Sequence, residues 1–265
     1  RADRDGSDTG AAGDVSGKGL SLGGSYRLSE QWRLGAALDV QEQDLELGER
    51  DSDYGLRSYL ASAFAQYRDG LLWGDATLSA GYLDYQDLER RFALGKTTRT
   101  ERGDTDGQVL ALGGRLGIEL QAGDPRLSLR PFVSADVARI EVDGYREDGA
   151  SSTALSYDDQ TRDSRRLGVG LQARFQLAED AELFGEIARE KEFEDEQSEV
   201  DMRLNSVAAV DSSLKGVDRE EHLTRAALGL RQRLAPELAL QVGYDYRKAG
   251  DDDLHGIGLS LSLDW

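Results

Sequence analysis

Few side chains in this sequence could break bonds. His222 and His255 are its two histidines, and cysteine is absent. The missing thiols exclude disulfides, Cys-ligated zinc and thiol nucleophiles. A catalytic imidazole needs a nucleophile within hydrogen-bond reach. Ser212, Ser213 and Ser260 are the nearby hydroxyls, and none stands in a nucleophile motif. Both histidines fall where a long connection meets an alternating segment. The reading is that this chain carries no catalytic residue.

The acidic runs Asp251-Asp252-Asp253 and Glu194-Asp195-Glu196 offer oxygen ligands for Ca²⁺. They lack the spacing and the turn glycine of an EF-hand, so they read as solvated loops. No metal or cofactor is expected. Gly23-Gly24 and Gly113-Gly114 are followed by no helix start or lysine, as a phosphate loop requires. They permit strand bending or close approach of side chains.

What remains is charge, and charge depends on the elements that position it. The chain has 265 residues, 32 basic and 51 acidic, for a net charge of −19. That balance repels a phosphate backbone and excludes nucleic acid as a partner. Hydrophobic residues are 38 % of the chain and mean hydropathy is −0.56. No run approaches the ~20 apolar residues of a spanning helix. The 31 glycines with only 3 prolines suit a barrel of strands.

The dominant signal is period two. Ile257, Leu259, Leu261, Leu263 and Trp265 alternate with Gly258, Ser260, Ser262 and Asp264. Leu238, Leu240, Val242, Tyr244 and Tyr246 do the same. Further apolar stripes run through 20–28, 32–40, 59–67, 72–82, 110–120, 127–137, 167–177 and 226–230. Segment 181–193 is less regular, with Gly185, Ile187 and Phe193 taken as its apolar face. Eleven strands follow, and Arg1–Asp5 reads as the stub of a twelfth. The whole of 1–265 reads as one domain.

The opposite faces carry Arg27, Arg33, Asp39, Asp75, Arg115, Glu119, Arg130, Asp136, Arg174, Arg225, Arg231, Asp245 and Asp264. In a soluble sandwich such faces meet water. In an outer-membrane barrel they line a wet lumen while the apolar faces meet lipid. Connection lengths separate the two. Tight links at 29–31, 68–70, 123–125, 178–180 and 235–237 alternate with long ones at 5–18, 42–55, 86–107, 143–164, 194–221 and 248–255. Short turns on one rim and long loops on the other describe an up-and-down antiparallel transmembrane β-barrel. Loop 194–221 holds nine acids and three bases, so it is expected to be extended and mobile.

Tyr59 and Tyr67 close the two ends of one stripe. Eight residues at ~3.3 Å each span roughly 26 Å, near the height of an apolar band between aromatic girdles. Tyr26, Trp32, Phe175 and Trp265 fall by the tight turns, while Tyr82, Tyr244 and Tyr246 lie toward the long loops. The terminal stripe from Ile257 to Trp265 resembles the signal by which bacterial outer-membrane barrels are recognised by their assembly machinery. An unpaired last strand can template onto another sheet edge.

A more specific resemblance lies in Glu49-Arg-Asp-Ser-Asp-Tyr-Gly-Leu-Arg-Ser-Tyr-Leu-Ala-Ser-Ala-Phe-Ala-Gln-Tyr-Arg-Asp-Gly70. It continues through Trp73-Gly-Asp-Ala-Thr-Leu-Ser-Ala-Gly-Tyr-Leu-Asp-Tyr85, Arg90-Arg-Phe-Ala-Leu-Gly95, Glu101-Arg-Gly-Asp-Thr-Asp-Gly107 and Val142-Asp-Gly-Tyr145. These resemble the translocator domains of autotransporters, particularly those exporting a GDSL-type esterase, over nearly the whole chain. The resemblance implies a twelve-stranded barrel in the bacterial outer membrane. It also implies a helix threading the pore and a passenger outside the cell. This sequence departs from that pattern: the helix, most of strand one, the passenger and a Gly-Asp-Ser-Leu motif are not in it.

The implied mechanism is guidance and anchoring rather than catalysis. A charged lumen stays hydrated, so an unfolded chain passes without shedding its own hydration. Arginines and acids on facing walls are expected to pair. The lumen arginines Arg115, Arg174, Arg225 and Arg231 are the expected contacts of the passing chain, with Asp75, Glu119, Asp136 and Asp245 lining the same space. The expected partners are outer-membrane lipid and lipopolysaccharide, the barrel assembly machinery and the chain's own passenger, with the barrel monomeric. Three rivals remain: a small porin-like channel, a lipid-hydrolysing barrel and a soluble sandwich.

Overall fold

The computed structural model describes residues 2–4, 13–47, 52–121, 123–149, 151–194, 199–206, 211–215, 220–250 and 252–263. Its strands are β1 (Ala2–Arg4), β2 (Gly13–Arg27), β3 (Trp32–Leu47), β4 (Ser52–Asp69), β5 (Leu72–Leu94) and β6 (Thr97–Ile118). They continue as β7 (Leu120–Gln121), β8 (Leu127–Val142), β9 (Tyr145–Arg146), β10 (Leu155–Tyr157), β11 (Gln160–Ala178) and β12 (Ala181–Glu192). The last are β13 (Glu199–Leu204), β14 (Asp211–Lys215), β15 (His222–Ala235), β16 (Leu238–Ala249) and β17 (Asp252–Leu263).

Twelve of these strands form a ring, all paired antiparallel. The order is β1, β2, β3, β4, β5, β6, β8, β11, β12, β15, β16 and β17, and β17 pairs back onto β1. Register follows the alternation. Leu38 stands opposite Ala61, Ala61 opposite Ala80, and Ala80 opposite Leu110. Apolar positions therefore share one face across four strands, and a one-residue slip would turn them all inward. Leu38, Leu78, Leu110, Val169 and Ile187 are exposed on the outer face. A soluble sandwich would bury them, so that rival is set aside.

The ring closes through β1 at one end only. Ala2 pairs with Leu254 and Val15, and Arg4 with Gly13. Below that point, β2 and β17 have no partner across the seam among the described residues. Leu22 and Leu259, beside the seam, are 77 % and 73 % exposed, against 49 % for Leu78 in the closed wall.

The tight turns lie where expected. Gly70 and Gly123 adopt φ +56° and +66°, a region open to glycine. The opposite rim differs from expectation in three places. Segment 86–107 is not a loop: β5 and β6 run on as one hairpin turning at Gly95, φ +66°, after a bulge between Tyr85 and Leu88. Both faces of that extension meet polar surroundings, so the apolar alternation that marks a strand in a sequence fades while the backbone ladder continues. Link 248–255 is short, with Ala249 paired to Asp252 around Gly250. Segments 143–164 and 194–221 contribute β9, β10, β13 and β14, a second sheet of order β14-β13-β10-β9. The expectation of a mobile loop at 194–221 is thus corrected for its described residues. Met202 pairs with Tyr157 and Ser212, so strand pairing absorbs the backbone of this acidic segment.

Candidate functional site

The face opposite the apolar stripes encloses the lumen, and its packing rests on aromatics laid over glycines. Phe64 pairs with Gly35, Phe132 with Gly170, Phe184 with Gly229 and Trp73 with Gly117. A Cβ on Gly229 would lie 2.2 Å from the Phe184 ring, and one on Gly170 2.4 Å from Phe132. Trp73 and Phe132 meet edge-on with centroids 5.9 Å apart, and both are buried.

Arginines pack on this aromatic wall. Arg115 lies 5.9 Å above Trp73 and 5.7 Å above Phe132, within cation–π range. It pairs with Asp75 at 3.0 Å and reaches Glu186 at 3.0 Å. Arg225 contacts Glu190 at 3.0 Å and Glu186 at 3.7 Å. Glu190 is 2 % exposed, so its charge is tolerable only with such partners. Glu119 accepts from Arg130 at 2.7 Å, Arg68 at 2.6 Å and Ser128 at 2.8 Å. Asp136 lies against Gly113, and Asp245 against Gly256.

Arg174 and Arg231 form no ion pair among the described residues. Both line a cavity of about 530 Å³ at the tight-turn end, together with Arg115, Asp75 and Arg27. The wall nearest the seam is different. On β2 from Gly17 to Ser25 and on β17 from Gly256 to Ser262, the inward positions hold only glycine and serine. The lumen thus has one wall of rings and charges and one wall of small residues.

The sequence pattern pointed to Arg115, Arg225, Asp75 and Glu119 but not to their partners Glu186, Glu190 and Arg68. Parity along 181–192 was the available signal. Leu183, Ile187 and Arg189 are exposed, while Glu186 and Glu190 alternate inward with Ala188.

The other candidate residues fall on the outer surface or outside the described residues. Trp32 and Tyr67 meet at 4.9 Å near the tight turns, and Tyr26 is exposed nearby. Tyr59 pairs with Tyr82 toward the opposite rim. Tyr244 bonds His255 Nδ1 at 2.6 Å, and Tyr246 donates to Asp253 at 2.6 Å. Ile257, Leu259, Leu261 and Leu263 are exposed on β17, while Trp265 lies outside the described residues, as do Asp251, Asp195 and Glu196. His255 faces outward and Ser260 inward, so they cannot act together. Glu194 pairs with Arg165 at 3.2 Å.

One polar cluster had no forecast. Above the barrel, Arg90 donates twice to Glu147 at 2.7 Å and once to the Thr153 carbonyl at 2.9 Å. Glu147 is 2 % exposed. Tyr145 and Tyr157 stack at 4.7 Å beside it. Burial pushes the Tyr157 phenol up to about 12, and burial raises that of Tyr145 as well. Burial works against the Glu101 carboxylate, but hydrogen bonds from Ser151 at 2.6 Å and Thr153 at 2.5 Å hold its pKa below the usual value.

Known proteins share this architecture. Residues 1–245 match the autotransporter β-domain family. Esterase EstA of Pseudomonas aeruginosa is 51 % identical over 266 residues, covering 100 % of this chain and 41 % of that protein. The chain therefore spans about two-fifths of that relative's length. The translocator domain of autotransporter NalP from Neisseria meningitidis superposes with a TM-score of 0.79 at 14 % identity, over 100 % of this chain and 84 % of that one. The β domain of the Bordetella autotransporter BrkA gives 0.68 at 16 %, over 100 % and 96 %. A ring of strands with an apolar outside, a charged inside and these likenesses over its full length has one home, the bacterial outer membrane, and the chain belongs to the autotransporter β-domain family.

Proposed function

We propose that this barrel guides an esterase passenger to the cell surface and then anchors it there. One observation carries the reading: 51 % identity across the whole chain to an esterase more than twice its length. The passenger is the part of such a protein that the barrel does not contain. The periplasm holds no ATP, so the barrel acts as a conduit and tether. Arg115, Arg174, Arg225 and Arg231 contact the passing chain along the ringed and charged wall. The glycine–serine wall leaves it room.

Lipid offers no partner to an exposed backbone group, so the open seam between β2 and β17 calls for backbone continuing along the line of β1. Tyr26, Trp32, Tyr59, Tyr67, Tyr82, Tyr244 and Tyr246 sit at the two interfaces of the outer membrane, against lipid and lipopolysaccharide. The stripe Ile257 to Leu263, with Trp265, serves recognition by the assembly machinery. The barrel acts as a monomer and is not itself catalytic.

The test uses intact cells carrying the full-length protein. Hydrolysis of a soluble nitrophenyl ester at the surface, together with protease shaving of an upstream domain, supports the reading. Deletion of β16 and β17 is expected to abolish both. A native polypeptide that begins one strand before Ala2 and conducts ions steadily would overturn it in favour of a small channel.

A further inference from the structure

We propose that the tight-turn end of the lumen is an oxyanion site, built to take carboxylate or phosphate groups. The inference deepens the translocator reading and rests on the same hydrated lumen. The cavity there is walled by arginine. Arg27, Arg33, Arg174 and Arg231 all line it, and none forms an ion pair among the described residues. The acids on its wall are Glu30 and Asp75, and Asp75 is engaged by Arg115.

Arg130 and Trp73 pack in the wall of the same cavity, where Arg130 is already paired with Glu119 at 2.7 Å. Arg27 and Arg33 stand directly opposite each other on paired strands. Like charges so placed repel unless an anion sits between them.

An oxyanion meets all of these needs. Its oxygens accept forked hydrogen bonds from guanidinium groups, and its charge balances theirs. A cleft in which positive charge outnumbers negative concentrates a positive field within it. The whole chain has a charge of −19, so its net charge does not account for the cluster of arginines at this site. Carboxylates of the protein's own polypeptide and free phosphate share the required chemistry.

The test is arginine labelling by phenylglyoxal on the full-length protein in detergent, read by peptide mass spectrometry. Labelling is followed with and without tripolyphosphate, at low and at molar salt. Arg126, at the turn rim, and Arg102, above the barrel, are the exposed references. If free phosphate is the ligand, tripolyphosphate slows labelling of Arg27, Arg33, Arg174 and Arg231 about tenfold relative to the references. If the chain's own carboxylates are the ligand, the four are protected without additive and molar salt releases them. In either case, Arg174→Gln with Arg231→Gln is expected to remove the protection of Arg27 and Arg33.

Labelling at the reference rate under every condition overturns the proposal. Protection that salt does not relieve also overturns it, because simple packing then explains it. Failure of the esterase passenger reading would register in the cell-surface assay and leave the phosphate arm intact.

Discussion

Arg115 on β6 reaches Glu186 on β12 at 3.0 Å, bridging the two strands, β8 and β11, that lie between them in the ring. The contact joins residues far apart in sequence and ties two sectors of the wall together. Glu186 also faces Arg225 at 3.7 Å and accepts from Gln172 at 2.8 Å. It is the hinge of the network, since Arg115 and Arg225 each have a second acid.

Glu186→Gln tests that network. The substitution keeps the shape and removes the charge shared by two half-buried arginines. Breaking such a pair costs about 1–3 kcal/mol, below the range for fully buried pairs. The expected outcome is a barrel that assembles but unfolds at lower temperature, followed by heat-modified gel mobility. An unchanged transition would mean that the lumen pairs contribute no stability.

Gly229→Ala should be worse than its one methyl suggests. The new Cβ would lie 2.2 Å from the Phe184 ring and 2.6 Å from the Val242 carbonyl. Overpacking of this kind costs about 1–3 kcal/mol. Gly258→Ala is the control, because nothing lies within 4 Å of its Cβ position. It is expected to change stability by less than about 0.5 kcal/mol. Denaturant midpoints of the two variants would separate these outcomes.

Arg90→Ala strands Glu147, which is 2 % exposed and depends on Arg90 for two of its hydrogen bonds. Removing one partner of a buried pair costs about 3–5 kcal/mol. The damage should stay local, above the membrane. Limited proteolysis is expected to cut segment 143–160 while the barrel remains folded and membrane-inserted.

The same polar cluster should respond to pH at both ends. The Glu101 pKa is held below its ordinary 4.5, so the carboxylate contributes stability above that value and loses it as pH falls through the lowered pKa. The Tyr157 pKa rises from 10.0 to about 12, so its contribution is present below 10 and fades as pH climbs between those values. Protection factors for amide exchange in β9 and β10, with the intrinsic pH dependence of exchange divided out, are expected to be highest between these limits and to fall on either side. Protection that is flat across the range would show that neither group is coupled to the fold.

The strands of the ring and the face each residue takes were legible in the sequence. Leu20, Leu22, Tyr26 and their counterparts alternate with polar residues, and alternation needs only the local geometry of a strand. The tight turns were equally legible, because Gly70 and Gly123 sit where the chain needs positive φ. The signal faded where the strands pack against polar segments instead of lipid. The extension through Leu88, Phe92 and Leu94 and the small sheet of β9, β10, β13 and β14 have no lipid face to impose a pattern. Tertiary structure alone decided which charges meet. Asp75 stands across from Arg115 in register, but the contact from Arg115 to Glu186 depends on the curvature that brings separated strands face to face. The same curvature gathers Arg27, Arg33, Arg174 and Arg231 from four strands around one cavity, a grouping that no local pattern encodes.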